Sequence, residues 1–293
     1  MKLLNYIQNE QVKLGVKTPS GIVDVGLMVS TLGISAPSSM EILIEKGQEG
    51  IRALENCLKA GDLSSYYITS KDVNLEYAPI VLRPEKILCV GLNYKSHSEE
   101  CQMDLPENPV IFSKFNNALA GHRQMVKIPE TTQQMDYEAE LVMVIGKTAK
   151  NINREEALDY VFGYTVGNDL SARDLQFRTP QWLLGKTCDH FAPTGPVLVT
   201  ADEIDPSSLS ISCKVNGEIK QSSSTKDMIF DCATIISYLS QHMTLMPGDL
   251  IFTGTPSGVI LGYPESERIW LKDGDLIEVE IEKIGVLENR IGK

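Results

Sequence analysis

Two glutamates, Glu138 and Glu140, stand two residues apart in the stretch MDYEAELVMVIG, residues 135–146. The apolar run after them predicts a β-strand, and residues i and i+2 of a strand share one face. Two like charges side by side repel each other unless a cation lies between them. The pair therefore indicates a metal site or, because so short a motif is common, only a strand face exposed to water.

A third acid, Asp169, lies in GYTVGNDLSARD, residues 163–174, where the next predicted strand ends. If the two strands pair, the three carboxylates converge. Hard oxygen ligands without histidine or cysteine suit Mg²⁺ or Mn²⁺. We therefore expect a divalent cation on Glu138, Glu140 and Asp169, with an unrelated turn aspartate as the alternative.

A histidine and a glutamate three residues apart, His97 and Glu100, lie in VGLNYKSHSEECQMDLPENP, residues 90–109. One helical turn would place both on the same face. A carboxylate beside an imidazole raises its basicity and fixes its tautomer, as a general base requires. The glycine and prolines around the segment suggest a loop that moves. An ordinary surface helix pair has the same spacing.

Polar and cationic side chains follow in SARDLQFRTPQWLLGKTCDHFAPTGP, residues 171–196. Arg173, Gln176 and Lys186 are suited to holding a carboxylate or stabilising a developing negative charge. Lys186 stands between apolar residues, and a buried lysine is uncommon unless it is paired. The sequence favours a functional and a structural role for Lys186 equally.

A loop rich in glycine and threonine, MPGDLIFTGTPSGVILG, spans residues 246–262. No Gly-Lys-Ser/Thr follows, so it is not a Walker loop. Its hydroxyl groups, Thr255 among them, and its backbone N–H groups would suit an anionic ligand. An ordinary turn is the alternative.

The elements that must position these residues indicate an α+β fold that is mainly β. Residues 1–75 read as a small α+β domain, with a helical pattern that begins near Ser39 and ends at Gly61. Residues 76–293 read as a larger domain of short strands with a helix near residues 228–243. Strands and helices do not alternate regularly, which argues against a doubly wound parallel sheet.

Composition excludes some partners. The formal net charge of −12 and the pI of about 4.9 argue against nucleic acid or an anionic membrane as the main partner. The N-terminal stretch has no evident signal-peptide pattern, and no apolar run approaches the roughly 20 residues of a membrane span. Six cysteines form no CxxC pair. We expect a cytoplasmic protein with reduced thiols.

Five segments together resemble the fumarylacetoacetate hydrolase (FAH) superfamily. They occur in that family's order between about residues 84 and 285, and they read VGLNYKSHSEE, DYEAELVMVIG, GNDLSARDLQ, WLLGKTCDHFAPTGP and GDLIFTGTPSGV. The resemblance implies an FAH-type roll of mixed β-sheets, the extra small N-terminal domain of some bacterial members, and a homodimer. His190 stands where the resemblance predicts a smaller residue near the site.

The resemblance also implies roles for individual residues. It places Mg²⁺ or Mn²⁺ on the three acids Glu138, Glu140 and Asp169, a water-activating dyad at two residues and an active-site lysine at a third, namely His97, Glu100 and Lys186. It places substrate oxygens on Arg173, Gln176 and Thr255.

Such a site suits a small 2-oxo acid or dicarboxylate. We expect C–C cleavage through a metal-stabilised enolate, foremost hydrolysis of a 2,4-diketo acid of the acylpyruvate type. His97 with Glu100 would deprotonate the attacking water, and Lys186 would stabilise the oxyanion. The same residues permit oxaloacetate decarboxylation, or isomerisation or tautomerisation of an unsaturated 2-hydroxy diacid of the 2-hydroxyhepta-2,4-diene-1,7-dioate type. A catalytically silent dicarboxylate-binding protein is the alternative of another class, and the complete residue set argues against it.

Overall fold

The computed structural model of the chain describes residues 1–60, 62–68, 75–100 and 103–293. The predicted helix end at Gly61 and residues 101–102 of the expected loop lie outside the described residues. The first part of the chain forms the elements β1 (Lys2–Gln8), β2 (Gln11–Thr18), β3 (Gly21–Asp24), α1 (Val25–Leu32), α2 (Met40–Lys59), β4 (Tyr67–Ile68) and β5 (Glu76–Tyr77).

The larger part of the chain consists mostly of strands. Its elements are β6 (Ile87–Gly91), α3 (Lys95–Glu100), β7 (Val110–Lys114), β8 (Leu119–Ala120), β9 (Val126–Lys127), β10 (Met135–Asp136), β11 (Ala139–Ile145), β12 (Val161–Asn168), β13 (Ser171–Ala172), α4 (Arg173–Gln176), α5 (Leu183–Lys186), β14 (Ala192–Thr200), β15 (Ser210–Val215), β16 (Glu218–Ser224), α6 (Cys232–His242), β17 (Leu250–Phe252), β18 (Leu276–Ile281) and β19 (Gly285–Gly292). The α+β, mainly β, fold class is confirmed.

A large mixed sheet runs through the molecule in the order β4-β3-β2-β1-β14-β12-β11-β17-β6-β7, with β5 added on β1 and β8 on β14. Most neighbours are antiparallel, whereas β17 pairs parallel with β6. The central strands β11 and β12 are buried along their whole length, so they read as continuous apolar runs.

A second sheet, β16-β15-β18-β19-β9, packs against the first. Its strands β15, β18 and β19 contact β11, β12 and β14. The apolar core fills the space between the two sheets, where Leu141, Val166, Val279 and Leu287 are nearly inaccessible to solvent. This layered packing fixes the central strands on which the acidic residues stand.

The N-terminal elements continue the large sheet. β1 pairs antiparallel with β14 through Leu3 and Leu198, so hydrogen bonding crosses from residues 1–75 into the larger part. Helix α2 begins with Ser39, whose hydroxyl accepts a hydrogen bond from the Ile42 N–H at 3.3 Å. Its residues Leu43 and Leu54 are buried, as the helical pattern predicts.

Candidate active site and metal centre

The three predicted metal ligands converge at one end of the central strands. β11 and β12 pair antiparallel with Ala139 opposite Asn168, which brings the ends carrying the acids together. The Asp169 N–H donates to the Glu138 carbonyl at 2.9 Å. Carboxylate oxygens of Glu138, Glu140 and Asp169 lie within 4.8 Å of one another, and all three residues are buried.

Two predicted cationic residues contact these acids. Lys186 Nζ lies 2.7 Å from Glu138 Oε2 and 2.8 Å from Asp169 Oδ2. Arg173 Nη2 lies 2.7 Å from Glu138 Oε1. Lys186 comes from α5, which turns back onto β13 and α4. Because both cations are buried, their ion pairs are poorly screened by water.

The buried charges of this site do not balance. Four carboxylates and three cations meet within it: Asp136, Glu138, Glu140 and Asp169 against Lys114, Arg173 and Lys186. Glu140 accepts a hydrogen bond from the Gly254 N–H at 2.7 Å, but no cation of the described residues lies within ion-pair distance of it. A buried, uncompensated carboxylate is costly. A divalent cation fits this set, because its ligands are oxygens and its charge would more than offset the remaining negative one.

The pKa values of the two neighbouring glutamates are shifted in opposite directions. Burial alone would raise the pKa of Glu138, but the Lys186 and Arg173 cations outweigh burial and hold its pKa well below the usual range. Burial, together with the charges of Asp169 and Glu138, raises the pKa of Glu140 well above its usual value. Without a metal, Glu140 is therefore the carboxylate that takes up a proton.

Lys114 is a residue that the sequence reasoning missed. It ends β7, and its Nζ lies 2.5 Å from Asp169 Oδ1. The same ammonium donates to the carbonyls of Leu170 at 3.0 Å and Phe191 at 2.7 Å, and to that of Lys186. Lys114 therefore holds the Asp169 carboxylate and the backbone at Leu170, Lys186 and Phe191 in place. A lysine that ends a half-buried strand was the available signal.

Asp136 was also missed, although it stands in the same stretch as the glutamates. Its Oδ2 accepts from Arg173 Nε at 2.9 Å and from the Leu261 N–H at 3.0 Å. Its Oδ1 accepts from the Ile260 N–H at 2.9 Å. Asp136 therefore joins the arginine to the loop of residues 254–262. Its position two residues before Glu138 was the signal, since it has strand-like spacing from the other acids.

The two residues of the predicted dyad are in contact. His97 and Glu100 both lie on α3, with His97 Nδ1 2.8 Å from Glu100 Oε1. Because a carboxylate only accepts, Nδ1 carries the proton and Nε2 is the ring nitrogen that accepts one. The second oxygen of Glu100 accepts from the Gly258 N–H at 2.8 Å. This bond joins the α3 segment to the loop of residues 254–262.

The loop reaches Glu100 because Gly258 has no side chain. Its φ of 103° favours glycine, and a Cβ there would lie 2.0 Å from the Lys220 carbonyl oxygen. The Tyr137 hydroxyl donates to the Gly258 carbonyl at 2.9 Å. Three consecutive residues before β11 thus have two kinds of contact. Asp136 and Tyr137 contact the loop of residues 254–262, and Glu138 belongs to the candidate metal centre.

One pocket collects most of the predicted residues. Seven of the nine line it, namely His97, Glu138, Glu140, Arg173, Gln176, Lys186 and Thr255. Glu100 and Asp169 lie directly behind the lining through their contacts with His97 and Lys186. Apolar walls from Met103, Phe112 and Trp182 complete it. His190 does not line this pocket, and its backbone N–H donates to the Asn117 carbonyl at 3.0 Å.

The predicted substrate-binding residues differ in how they are engaged. Arg173 is held within the protein, because its Nε donates to Asp136 and its Nη1 to Gln176 Oε1, both at 2.9 Å, while Nη2 lies 2.7 Å from Glu138 Oε1 without a hydrogen bond. Since arginine only donates, the amide oxygen of Gln176 faces Arg173 and its NH₂ group faces away. Arg173 therefore organises the site, while Gln176 and Thr255 remain suited to meet a ligand directly.

The family model "Fumarylacetoacetate (FAA) hydrolase C-terminal" matches residues 86–292. The mitochondrial oxaloacetate tautomerase Fahd2a of Rattus norvegicus is 41% identical over 288 residues, which cover 98% of this chain and 88% of the rat protein. The match extends through the N-terminal part as well as the larger one. No helix of the described residues is long and apolar enough to cross a membrane.

Solved structures that resemble this chain point to the same family. Fumarylacetoacetate hydrolase from Exiguobacterium antarcticum superimposes with a TM-score of 0.84 at 35% identity, covering 100% of this chain and 99% of that chain. Maleylpyruvate hydrolase from Sphingobium sp. SYK-6, in complex with manganese(II) ion and pyruvate, superimposes with a TM-score of 0.79 at 29% identity and the same coverage. The resemblance in the sequence and the fold it implied are confirmed.

The raised pKa of Glu140 predicts that metal binding releases protons. The ion competes with the proton on Glu140, so Mg²⁺ or Mn²⁺ binding should release up to about one proton per ion, and this number should fall as the pH rises through the raised pKa of Glu140. Calorimetric titrations in two buffers of different ionisation enthalpy measure this number. Glu140→Gln should lose most of the release together with affinity, and proton-independent binding by the parent protein would contradict the prediction.

Replacing Lys114 should destabilise the whole protein. Lys114→Met removes the cation beside Asp169 and the buried donor of three carbonyls, which should lower the unfolding free energy by at least about 3 kcal/mol. The urea midpoint measures the loss. Lys59→Met is the matched control, because the Lys59 side chain is 76% exposed and its midpoint should stay near that of the parent. Equal midpoints for both variants would contradict the prediction.

Proposed function

The chain belongs to the fumarylacetoacetate hydrolase family of enzymes, and from that premise we propose that it interconverts the keto and enol forms of oxaloacetate or a closely similar 2-oxo dicarboxylate. The observation that supports this most is the basic nitrogen of the His97–Glu100 pair in the same pocket as the acidic triad and Lys186. A base beside an electrophilic centre is what proton abstraction next to a carbonyl requires.

The centre formed by Glu138, Glu140 and Asp169 would hold Mg²⁺ or Mn²⁺. When bound, such an ion supplies Lewis acidity toward a carbonyl oxygen. Lys186 adds a fixed positive charge, because the carboxylates of Asp169 and Glu138 outweigh the effect of burial and raise its pKa. Lys186 therefore stays protonated and stabilises negative charge on the substrate oxygen instead of removing a proton.

His97 carries out the proton transfer. Nε2 takes a proton from the carbon next to the carbonyl, the C–H electron pair forms the carbon–carbon double bond, and the carbonyl oxygen becomes negatively charged. The same proton, or one from water, then neutralises that oxygen to give the enol, and the reverse sequence gives the ketone. Glu100 stabilises the imidazolium that forms in between.

Hydrolysis of a 2,4-diketo acid is the second candidate. It is favoured by manganese and pyruvate in the structure of maleylpyruvate hydrolase, to which this chain is similar. His97 with Glu100 would then deprotonate a water in place of the substrate carbon. Decarboxylation of oxaloacetate would use the same metal centre without this proton transfer. In all three cases we propose a homodimer in the cytoplasm, which light scattering and cell fractionation can test.

A comparison of three substrates distinguishes these reactions. Freshly dissolved enol-oxaloacetate is followed by its ultraviolet absorbance, and pyruvate release is followed from oxaloacetate and from an acylpyruvate. We expect metal-dependent acceleration of enol decay above the spontaneous rate, abolished by a chelator. Acceleration only of pyruvate release from the acylpyruvate would replace the tautomerase proposal with the hydrolase. Binding of substrate without any of the three would favour a silent binding protein.

Replacing His97 should remove the proposed base without affecting metal binding. His97→Ala should lower kcat for enol–keto conversion by about 10²–10⁴-fold, because a general base contributes that much. The metal affinity of the variant should remain within about twofold of that of the parent protein, since His97 is not one of the three predicted metal ligands. His242→Ala is the matched control on the exposed end of α6. An unchanged kcat in His97→Ala would remove His97 from the proposed mechanism.

A further inference from the structure

A buried glutamine, Gln221, lies behind the pocket and contacts one of its lining residues. It belongs to β16, whose other side chains are mostly polar and accessible to solvent, yet Gln221 itself is only 1% exposed. Gln221 pairs with Cys213 of β15, and the register of the two strands shifts directly after this pair, between Cys213 and Lys214. Gln221 is not part of any motif that the sequence reasoning singled out.

The orientation of the Gln221 amide is fixed by two backbone groups. Its Oε1 accepts from the Ala139 N–H at 3.0 Å, and its Nε2 donates to the Pro256 carbonyl at 2.8 Å. A backbone N–H can only donate and a carbonyl can only accept, so a flipped amide would lose both bonds. Oxygen and nitrogen of this amide are therefore assigned by chemistry.

The second proton of Nε2 determines the polarity of Thr255. Nε2 donates to Thr255 Oγ1 at 2.8 Å, which makes the threonine hydroxyl an acceptor toward Gln221. Its own proton must point elsewhere, and it has no acceptor among the described residues of the chain. Thr255 is only 3% exposed and lines the pocket. The bond from Gln221 occupies one lone pair of the hydroxyl and leaves its proton available to a ligand in the pocket.

Gln176 shows the same polarity on the pocket wall, because Arg173 occupies its amide oxygen and leaves its NH₂ group as donor. Gln176 and Thr255 therefore both offer hydrogen atoms toward the pocket. A carboxylate only accepts, so it satisfies such donors, whereas a carboxamide would turn either an acceptor or a competing donor toward them.

We propose that Gln221 is a positioning residue that holds Thr255 as a hydrogen-bond donor and thereby makes the pocket select a ligand carboxylate over a carboxamide. This rests on the proposed function only in taking the pocket as the substrate site. Gln221 does not touch the ligand, and its effect reaches the ligand through the Thr255 hydroxyl.

Gln221→Glu tests the proposal with little change of shape. A carboxylate at this position keeps the acceptor for the Ala139 N–H but accepts the Thr255 proton, so Thr255 turns from donor to acceptor toward the pocket. The probes are oxalate and oxamate, in which a carboxamide replaces one carboxylate. Their binding to the Mg²⁺-loaded protein is measured by calorimetry, so the readout does not depend on turnover.

The parent protein should bind oxalate more tightly than oxamate. Gln221→Glu should weaken oxalate binding by about 10–100-fold, as expected for a lost hydrogen bond to a charged group, and should bring the two affinities close together. Thr255→Val should weaken oxalate to a similar extent. If Thr255→Val binds oxalate as well as the parent, Thr255 does not contact the carboxylate and the proposal is overturned.

The double variant separates polarity from simple charge repulsion. If Gln221 acts through Thr255, Gln221→Glu should cause little further loss in the Thr255→Val background. Additive losses would mean direct repulsion between the new carboxylate and the ligand, and would overturn the proposal. Gln124→Glu adds the same charge outside the pocket lining, where Gln124 Oε1 accepts from the Gly121 N–H at 3.0 Å, and should leave both affinities unchanged.

Folding and activity are checked separately. Thermal unfolding of each variant shows whether it folds, and if Gln221→Glu does not, Gln221→Met takes its place. That substitution lets the Thr255 hydroxyl rotate, so it should reduce the preference for oxalate over oxamate but not reverse it. An unchanged preference would overturn the proposal. A protein that shows the predicted binding pattern but does not accelerate enol–keto conversion would refute the proposed function and leave this inference intact.

Discussion

Carboxylates packed together away from water stay charged only if cations lie within contact distance. Four such acids meet at the entrance of the central strands, and the surrounding chain is arranged to bring them partners. Lys114 arrives from β7, Arg173 from α4 and Lys186 from α5. Loss of α4 would leave Asp136 without its cation, and loss of β7 or α5 would take away one of the two cations beside Asp169, so the fold around the site depends on this balance.

The four carboxylates exceed the three cations by one negative charge, and this excess favours the binding of a cation. The protein cations suffice for Glu138 and Asp169, while Glu140 has only the Gly254 N–H and the like charges of its neighbours. A divalent ion would turn a net negative pocket into a net positive one. Such a pocket suits an anionic 2-oxo acid, which agrees with the activities named for the oxaloacetate tautomerase and the maleylpyruvate hydrolase similar to this chain.

The loop of residues 254–262 connects the cluster of three acids to the His97–Glu100 pair. Its backbone groups contact Glu140 at one end, Glu100 near the middle and Asp136 beyond it. Close approach explains why the loop contains glycines: at Gly254, with a φ of 97°, a Cβ would lie 2.7 Å from the Asn93 Cβ. The positions of Glu140, Glu100 and Asp136 therefore depend on the conformation of one short segment.

The sequence by itself determined what depends on local geometry. Strand periodicity placed Glu138 and Glu140 on one face, and helical spacing placed His97 against Glu100, because neighbours two and three residues apart meet within one element. Tertiary structure alone decided the partners from distant segments. Lys114 at the end of β7 meets Asp169 from another segment of the chain, and Gln221 meets Thr255 from 34 residues away. Spacing along the chain cannot encode such contacts, since they exist only once the sheets have paired and packed.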